Sequence, residues 1–451
     1  NHWLQNVVLG GVTRDGQDAT NAVTYLVLDA IERLPVTQPA VAVRLHAGSP
    51  SALVEKCAHV LRRGGGAPVL YNDDVLVPAL VAAGVPLEDA RNYTNDGCWE
   101  TLIPAKTNFA WLDVNLLECT ERTFGLKPSA VAGSAGGAAS TVFSSYQELF
   151  SRFTAEMEIA VARCLSACHV PPGRLAGGNV DPLLSLLTEG CIAAGADYRA
   201  AEALYYMRHL VARGFATAVD SLAAVKKLVF EDGRVQMATL LRALREDYAG
   251  AEQLRQLARQ RSPKYGCDDP EADAVAVALA EAFCAAVARH AARLQRAIIA
   301  CGIGTFEHFV RLGAITGATP DGRHAGDPIG TNASPSLGMD RNGPTAALKS
   351  YTKLPLRRMG TGAPLDLTLD ANALEGETGA RTLAAFLRAF VALGGSIMTL
   401  SAVSGETLRD AQVHPDRHRH IRVRMGGFQA YFTALNREHQ DAIIARTEHR
   451  L

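Results

Sequence analysis

A chain of 451 residues is long enough for two or three domains or for one large barrel with a sizeable core. Hydrophobic residues at 48% and charged residues at 20% exclude disorder, and 45 basic against 46 acidic side chains leave no field to draw nucleic acid or an anionic membrane. The nine cysteines, at 57, 98, 119, 164, 168, 191, 267, 284 and 301, include no pair with zinc or iron–sulfur spacing, so no metal centre is expected.

The first hundred residues alternate short apolar runs with helical patterns. Val7 to Leu9 reads as a strand, Asn21 to Leu34 as a helix, Ala40 to Leu45 as a strand, Ser51 to Arg63 as a helix and Pro68 to Tyr71 as a strand. That alternation predicts parallel strands joined by crossover helices, an α/β architecture. From Ser145 to about Ile299 the helical period dominates, interrupted at Pro171-Pro172-Gly173 and at the polar loop from Arg261 to Pro270. Its most apolar part, Ala274 to Cys301, carries Glu281, Arg289, His290, Arg293 and Arg296, which a bilayer core rejects, so it reads as a packed helix. Cys164 and Cys168, four apart on that helical pattern, read as small buried hydrophobes.

Between Gly317 and Asn342 the pattern dissolves into Gly, Pro, Asp and Ser, with a tight turn at Thr319-Pro320-Asp321-Gly322-Arg323. A loop of that length inside a compact domain is expected to line a site. A helix from about Ala380 to Leu393, a strand at Ser396 to Leu400, a helix at Gly405 to Gln412 and a last strand and turn at Ile421 to Phe428 follow. No repeat or linker divides the chain, which reads as one domain. No signal-type sequence opens it, so a cytoplasmic location is the expectation.

Two stretches carry chemistry. The first is Asn95-Asp96-Gly97-Cys98-Trp99-Glu100 with Ile103-Pro104-Ala105-Lys106-Thr107; the second is Arg422-Val423-Arg424-Met425-Gly426-Gly427-Phe428. Alone, a cysteine after glycine is a small buried residue, and a Gly-Gly pair after a strand is a turn needing positive φ. Together, they resemble the glycyl radical enzyme family, the pyruvate formate-lyase-like superfamily. Arg424, Gly427 and Phe428 match its radical loop near the C-terminus, and Gly97-Cys98-x-Glu100 with Pro-x-Lys-Thr matches the cysteine loop of its dehydratase and lyase branch. Met425, Gly426, Trp99 and Ala105 are mild departures. The resemblance runs collinearly through Leu9-Gly10-Gly11, Tyr71-Asn72-Asp73, Pro320 to Arg323, Asn342 to Ala346 and Glu406 to Gln412.

The resemblance implies a ten-stranded β/α barrel of two five-stranded halves surrounded by helices, with residues 1–451 forming its C-terminal portion, 411–451 the glycyl radical domain, and the N-terminal part of the barrel absent. It implies Gly427 as radical carrier, Cys98 as thiyl and Glu100 as general base. A backbone radical needs a planar α-carbon, which only glycine allows without crowding, and a thiol is the hydrogen carrier between that radical and a C–H bond. Asp113 falls near the position of an aspartate that binds substrate hydroxyls in the diol-dehydrating members, with one residue inserted; a surface or capping carboxylate is the alternative. His46, at the end of a predicted strand, reads either as a substrate contact or as a structural histidine. No bound cofactor is implied. The radical would be installed by a separate activating enzyme using S-adenosylmethionine and an iron–sulfur cluster; a small-molecule substrate and a homodimer are the other expected partners.

The leading expectation is a lyase dehydrating a 1,2-diol or polyol. A formate C-acyltransferase-like activity is the family alternative, though it uses two adjacent cysteines where this chain has Gly97-Cys98-Trp99. A radical decarboxylase or a carbon–nitrogen or carbon–sulfur lyase would use the same Cys98 and Glu100. The alternative of another class is a non-catalytic radical-domain fragment that needs a complementing chain.

Overall fold

The computed structural model describes residues 6–131, 143–166, 168, 180–200, 203–294, 297–446 and 448–449. The strands are β1 (Asn6–Gly10), β2 (Ala40–Leu45), β3 (Val69–Asn72), β4 (Thr94–Asn95), β5 (Thr101–Leu102), β6 (Thr107–Asn115), β7 (Tyr205–Arg213), β8 (Ala297–Ile303), β9 (Pro364–Leu369), β10 (Ile397–Ala402), β11 (Arg422–Met425), β12 (Phe428–Tyr431) and β13 (Glu448–His449).

Helices cross between parallel strands at the start of the chain as the alternation predicts. Asn21 caps the helix Ala22–Arg33 by accepting from the Val23 and Thr24 amides, and Ser51–Leu61 returns the chain from β2 to β3. Strands β1, β2 and β3 pair in parallel; β3 meets β10 antiparallel, Tyr71 opposite Ile397; β10 and β9 are parallel again. The second sheet, β6-β7-β8, is parallel, and β8 continues onto the segment before β9 through Ile303 N–H to the Gly362 carbonyl (3.1 Å) and Thr361 N–H to the Cys301 carbonyl (3.0 Å). The described strands thus supply a parallel set of three and a parallel set of five, meeting antiparallel, with the two-residue β13 paired in parallel at the end of β9; the resemblance implies ten.

Side-chain alternation separates an inner wall from an outer one. Ala42, Tyr71, Met207, Val211, Ala300 and Ile397, drawn from both sheets, share one interior cluster with Trp99 and Phe306, so the two sheets face each other across it. Their sequence neighbours Val41, Val43, Leu70, Leu210, Cys301 and Met398 pack outward into the larger cluster with the helices.

Two sequence expectations are corrected. The stretch read as helical from Ser145 to Ile299 contains β7, and the apolar run from Ala274 to Cys301 is a helix only to Ala291, its end being β8. These strands are covered on both faces, so their sequences are near-continuous runs without the period of two that marks a half-exposed strand. The break at Pro171-Pro172-Gly173 lies outside the described residues. No helix among the described residues is long and apolar enough to cross a membrane.

Candidate active site

Two hairpin tips meet inside the molecule. Pairing of β4 with β5 (Asn95 opposite Thr101) closes the loop from Asp96 to Glu100, with Cys98 at its apex. Asp96 Oδ1 accepts the Cys98 amide at 3.0 Å, and Asp96 N–H donates to the Glu100 carbonyl at 3.0 Å. From β3, Tyr71 supports the loop, its hydroxyl donating to the Trp99 carbonyl (3.2 Å) and accepting from Asn95 Nδ2 (3.1 Å). Trp99 is fully buried and stacks on Phe306 with ring centres 5.4 Å apart.

Pairing of β11 with β12 places Met425 opposite Phe428, leaving Gly426 and Gly427 as a two-residue turn. Gly426 has φ +58, the left-handed value such turns need at their first central position, and a Cβ there would also overlap the Phe306 carbonyl. Gly427 is buried, and a side chain on it would overlap the Cys98 sulfur and come within 2.8 Å of Cys98 Cβ. Since a Cα–Cβ bond spans about 1.5 Å, the sulfur lies within about 4 Å of the Gly427 α-carbon, on the side of the hydrogen that an L side chain replaces.

The electrostatics around the thiol are acidic. Burial, then the carboxyls of Glu100 and Asp96, push the Cys98 thiol well above its ordinary value; Arg424 acts in the opposite sense and loses. Glu100 is wholly buried. Its Oε2 accepts the Trp99 amide at 3.3 Å, and burial followed by the adjacent Asp96 charge raises its carboxyl far above the usual range. Burial raises Asp96 too, so each of the two neighbouring carboxyls disfavours the ionised form of the other. Arg424, 1% exposed, stands beside Asp366 on β9, and burial lowers its basicity.

Gly427, Cys98 and Glu100 are therefore brought together. Asp113 joins the same inner wall, since its β6 face carries Phe109 and Trp111 and registers with Met207, His209 and Val211 of β7. It pairs with Arg213, whose guanidinium lies over Phe306. His46 is not brought in: its Nε2 stands 3.0 Å from Asp18 Oδ1 and its Nδ1 accepts the Gly48 amide at 3.1 Å, contacts that tie the loop after β2. The loop from Gly317 to Asn342 does line a cavity of ≈ 580 Å3, but between Thr217, Val310, Ala442 and the loop itself, with none of the three residues in its wall. One loop residue reaches the radical turn: Asn332 Nδ2 donates to Asp366 at 2.7 Å and to the Gly426 carbonyl at 3.5 Å.

Sequence reading passes over Asp96 as a partner for Glu100, although a hairpin with the two at either end of the Cys98 loop forces them together. It has no means of finding Phe306, which has φ +54 and supports both Trp99 and Gly426.

Residues 1–313 match the family described as pyruvate formate lyase-like, and residues 329–433 match the glycine radical domain. The chain belongs to the glycyl radical enzyme family. Among curated relatives it is 35% identical to the probable dehydratase YbiW of Escherichia coli K12, covering 99% of this chain and 58% of the relative. It is 30% identical to trans-4-hydroxy-L-proline dehydratase of Clostridioides difficile, covering 98% and 56%. Among solved structures, the glycerol-bound B12-independent glycerol dehydratase of Clostridium butyricum superposes with a TM-score of 0.89 at 31% identity, over 99% of this chain and 57% of that one. The chain spans a little over half the length of these relatives.

Proposed function

We propose that this glycyl radical protein dehydrates a 1,2-diol or polyol, with Gly427 as radical carrier, Cys98 as thiyl and Glu100 as base. The observation that carries the reading is the close approach of the Cys98 sulfur to the Gly427 α-carbon, with the Glu100–Asp96 pair on the same hairpin. In this scheme the Gly427 radical takes the hydrogen atom of the Cys98 S–H bond, and the resulting thiyl takes a hydrogen atom from the substrate carbon bearing a hydroxyl. Glu100 accepts that hydroxyl's proton, giving a ketyl radical that expels the neighbouring hydroxyl as water with a proton from the carboxyl pair. The product radical recovers the hydrogen atom from Cys98, and the thiyl recovers one from Gly427.

No bound cofactor enters these steps. A separate S-adenosylmethionine and iron–sulfur enzyme would install the radical, in the cytoplasm, on a homodimer. A carbon–sulfur lyase is the second reading, favoured by 30% identity to isethionate sulfite-lyase of Oleidesulfovibrio alaskensis. The reading of another class is a non-catalytic radical-domain fragment that needs a complementing chain.

The test is anaerobic activation followed by a panel of glycerol, propane-1,2-diol, trans-4-hydroxy-L-proline and isethionate. Cys98→Ser should keep the glycyl radical and stop turnover. Glu100→Gln should keep the radical and still exchange deuterium from substrate into Gly427, while product formation falls by about two to four orders of magnitude. Near wild-type turnover in Glu100→Gln removes the base from the scheme, and turnover of isethionate alone selects the carbon–sulfur reading. A radical that forms without turnover of any compound selects the fragment reading.

A further inference from the structure

A string of polar side chains runs along the inner wall beside the Cys98 hairpin, and the scheme above leaves most of it without a role. Asp113, on β6 with 36% of its side chain exposed, has Oδ2 2.6 Å from Arg213 Nη2. Arg213 ends β7, keeps 10% of its side chain exposed, and lies with its guanidinium 5.3 Å from the Phe306 ring centre. Its Nη1 is 3.1 Å from His308 Nδ1. A guanidinium only donates, so Nδ1 is the unprotonated nitrogen of that ring. The hydrogen of a neutral His308 then sits on Nε2, which stands 3.2 Å from the Glu307 carboxylate.

This arrangement fixes both the aim and the charge of Asp113. Arg213 holds one carboxylate oxygen and cancels its charge, while among the described residues no hydrogen bond within the protein reaches Oδ1. The Asp113–Arg213 pair therefore offers one oriented acceptor without net charge of its own, the Glu307 carboxylate standing beyond His308. Such a group suits a neutral hydroxyl; an ammonium would gain no net attraction, and an anion would meet the lone pairs of Oδ1.

Resting on the reading of Asp113 as the group that takes a substrate hydroxyl, we propose that Arg213 is the positioning residue that presents Asp113 Oδ1 to an uncharged, hydroxyl-bearing end of the substrate, with His308 as its brace. Burial raises the Asp113 carboxyl and Arg213 opposes that rise. Without the guanidinium, burial is opposed only by the smaller effect of His308, and the carboxyl protonates at higher pH, turning the acceptor into a donor.

The purified protein with [13Cγ]aspartate gives a direct readout, the Asp113 carboxyl being the resonance lost in Asp113→Asn. Its titration midpoint should rise by about one unit or more in Arg213→Met and by less in Arg213→Lys. After activation, KM for glycerol, the uncharged ligand held by the similar dehydratase structure, should rise about tenfold in Arg213→Met with kcat nearly unchanged. Its kcat/KM should fall with acidification where the wild type does not, and Arg213→Lys should recover part of the loss. An unmoved midpoint in Arg213→Met overturns the proposal, as do equal KM losses in both Arg213 variants without an acid limb. If Asp113→Asn leaves KM for glycerol unchanged, the reading of Asp113 itself fails.

Discussion

Replacing Asp96 by asparagine probes the carboxyl pair that the chemistry leans on, and the raised ionisation of both groups sets the sign of the effect. As a general scale, two like charges at about 4 Å repel by about 4 kcal/mol at the effective dielectric near 20 that suits protein sites, roughly three pH units, which is the upper bound for this pair. The asparagine amide keeps an oxygen to accept the Cys98 amide, now 3.0 Å from Asp96 Oδ1, so the hairpin retains its brace while the charge goes. Both carboxyls are raised in the folded protein. Their contribution to stability is complete below the ordinary carboxylate range and is lost as pH rises through the raised folded values. In the variant only Glu100 remains, with burial but without its charged neighbour, so that loss should shrink by about 1–4 kcal/mol. Thermal melting of both proteins from about pH 5 to about pH 9 reads the difference, because every other titrating group is common to the two. An Asp96→Asn protein whose melting temperature falls as steeply as the wild type, or more steeply, would falsify the mutual repulsion of Asp96 and Glu100.

Gly427→Ala should abolish the electron paramagnetic resonance doublet of the activated protein and the air-induced cut at residue 427, since its methyl group would also overlap the Cys98 sulfur; a doublet that survives places the carrier elsewhere. Cys98 should resist iodoacetamide near neutral pH far more than it does in the denatured chain, because burial and two carboxyls hold it as the thiol. Modification of native and denatured protein at comparable rates would contradict that environment.

The residues that make the radical turn were legible because their constraints are local. Gly426-Gly427 after an apolar strand marks a two-residue turn, and the actual hairpin runs from Arg422 to Tyr431. The N-terminal crossover units were legible for the same reason, with Asn21 announcing its helix and the β2 and β3 runs short and bounded. Strand β7 was not. Met207, His209 and Val211 face the interior while Leu210 and Ala212 face the helices, so Tyr205–Arg213 lacks a polar side from which to read a period. His209 shows the same limit at one position. Its Nδ1 is 3.0 Å from Thr361 Oγ1, a residue far along the chain, and burial lowers its basicity to about 3. The Asp113–Arg213–His308 string was invisible too, because its members come from three segments joined only when β6 and β7 register and the loop after β8 folds over them.

The ionisation state of Cys98 distinguishes the proposed chemistry from nucleophilic catalysis. A cysteine that attacks an acyl carbon works as a thiolate, and proteins make one with positive neighbours, helix N-termini or a paired imidazole. Here the Glu100 and Asp96 carboxyls add to burial, and Glu307 adds a further negative charge, so the sulfur keeps its hydrogen. Hydrogen-atom transfer needs that bond intact: a thiolate has no hydrogen to give the glycyl radical, and a single electron taken from it would leave the matching proton to come from solvent. Among the described residues the cation that favours the thiolate is Arg424, and it is itself buried and acted on by Asp366. The same acidic surroundings that would disable a nucleophile therefore suit a hydrogen-atom relay, and they place the proton-accepting Glu100 on the hairpin that carries the sulfur.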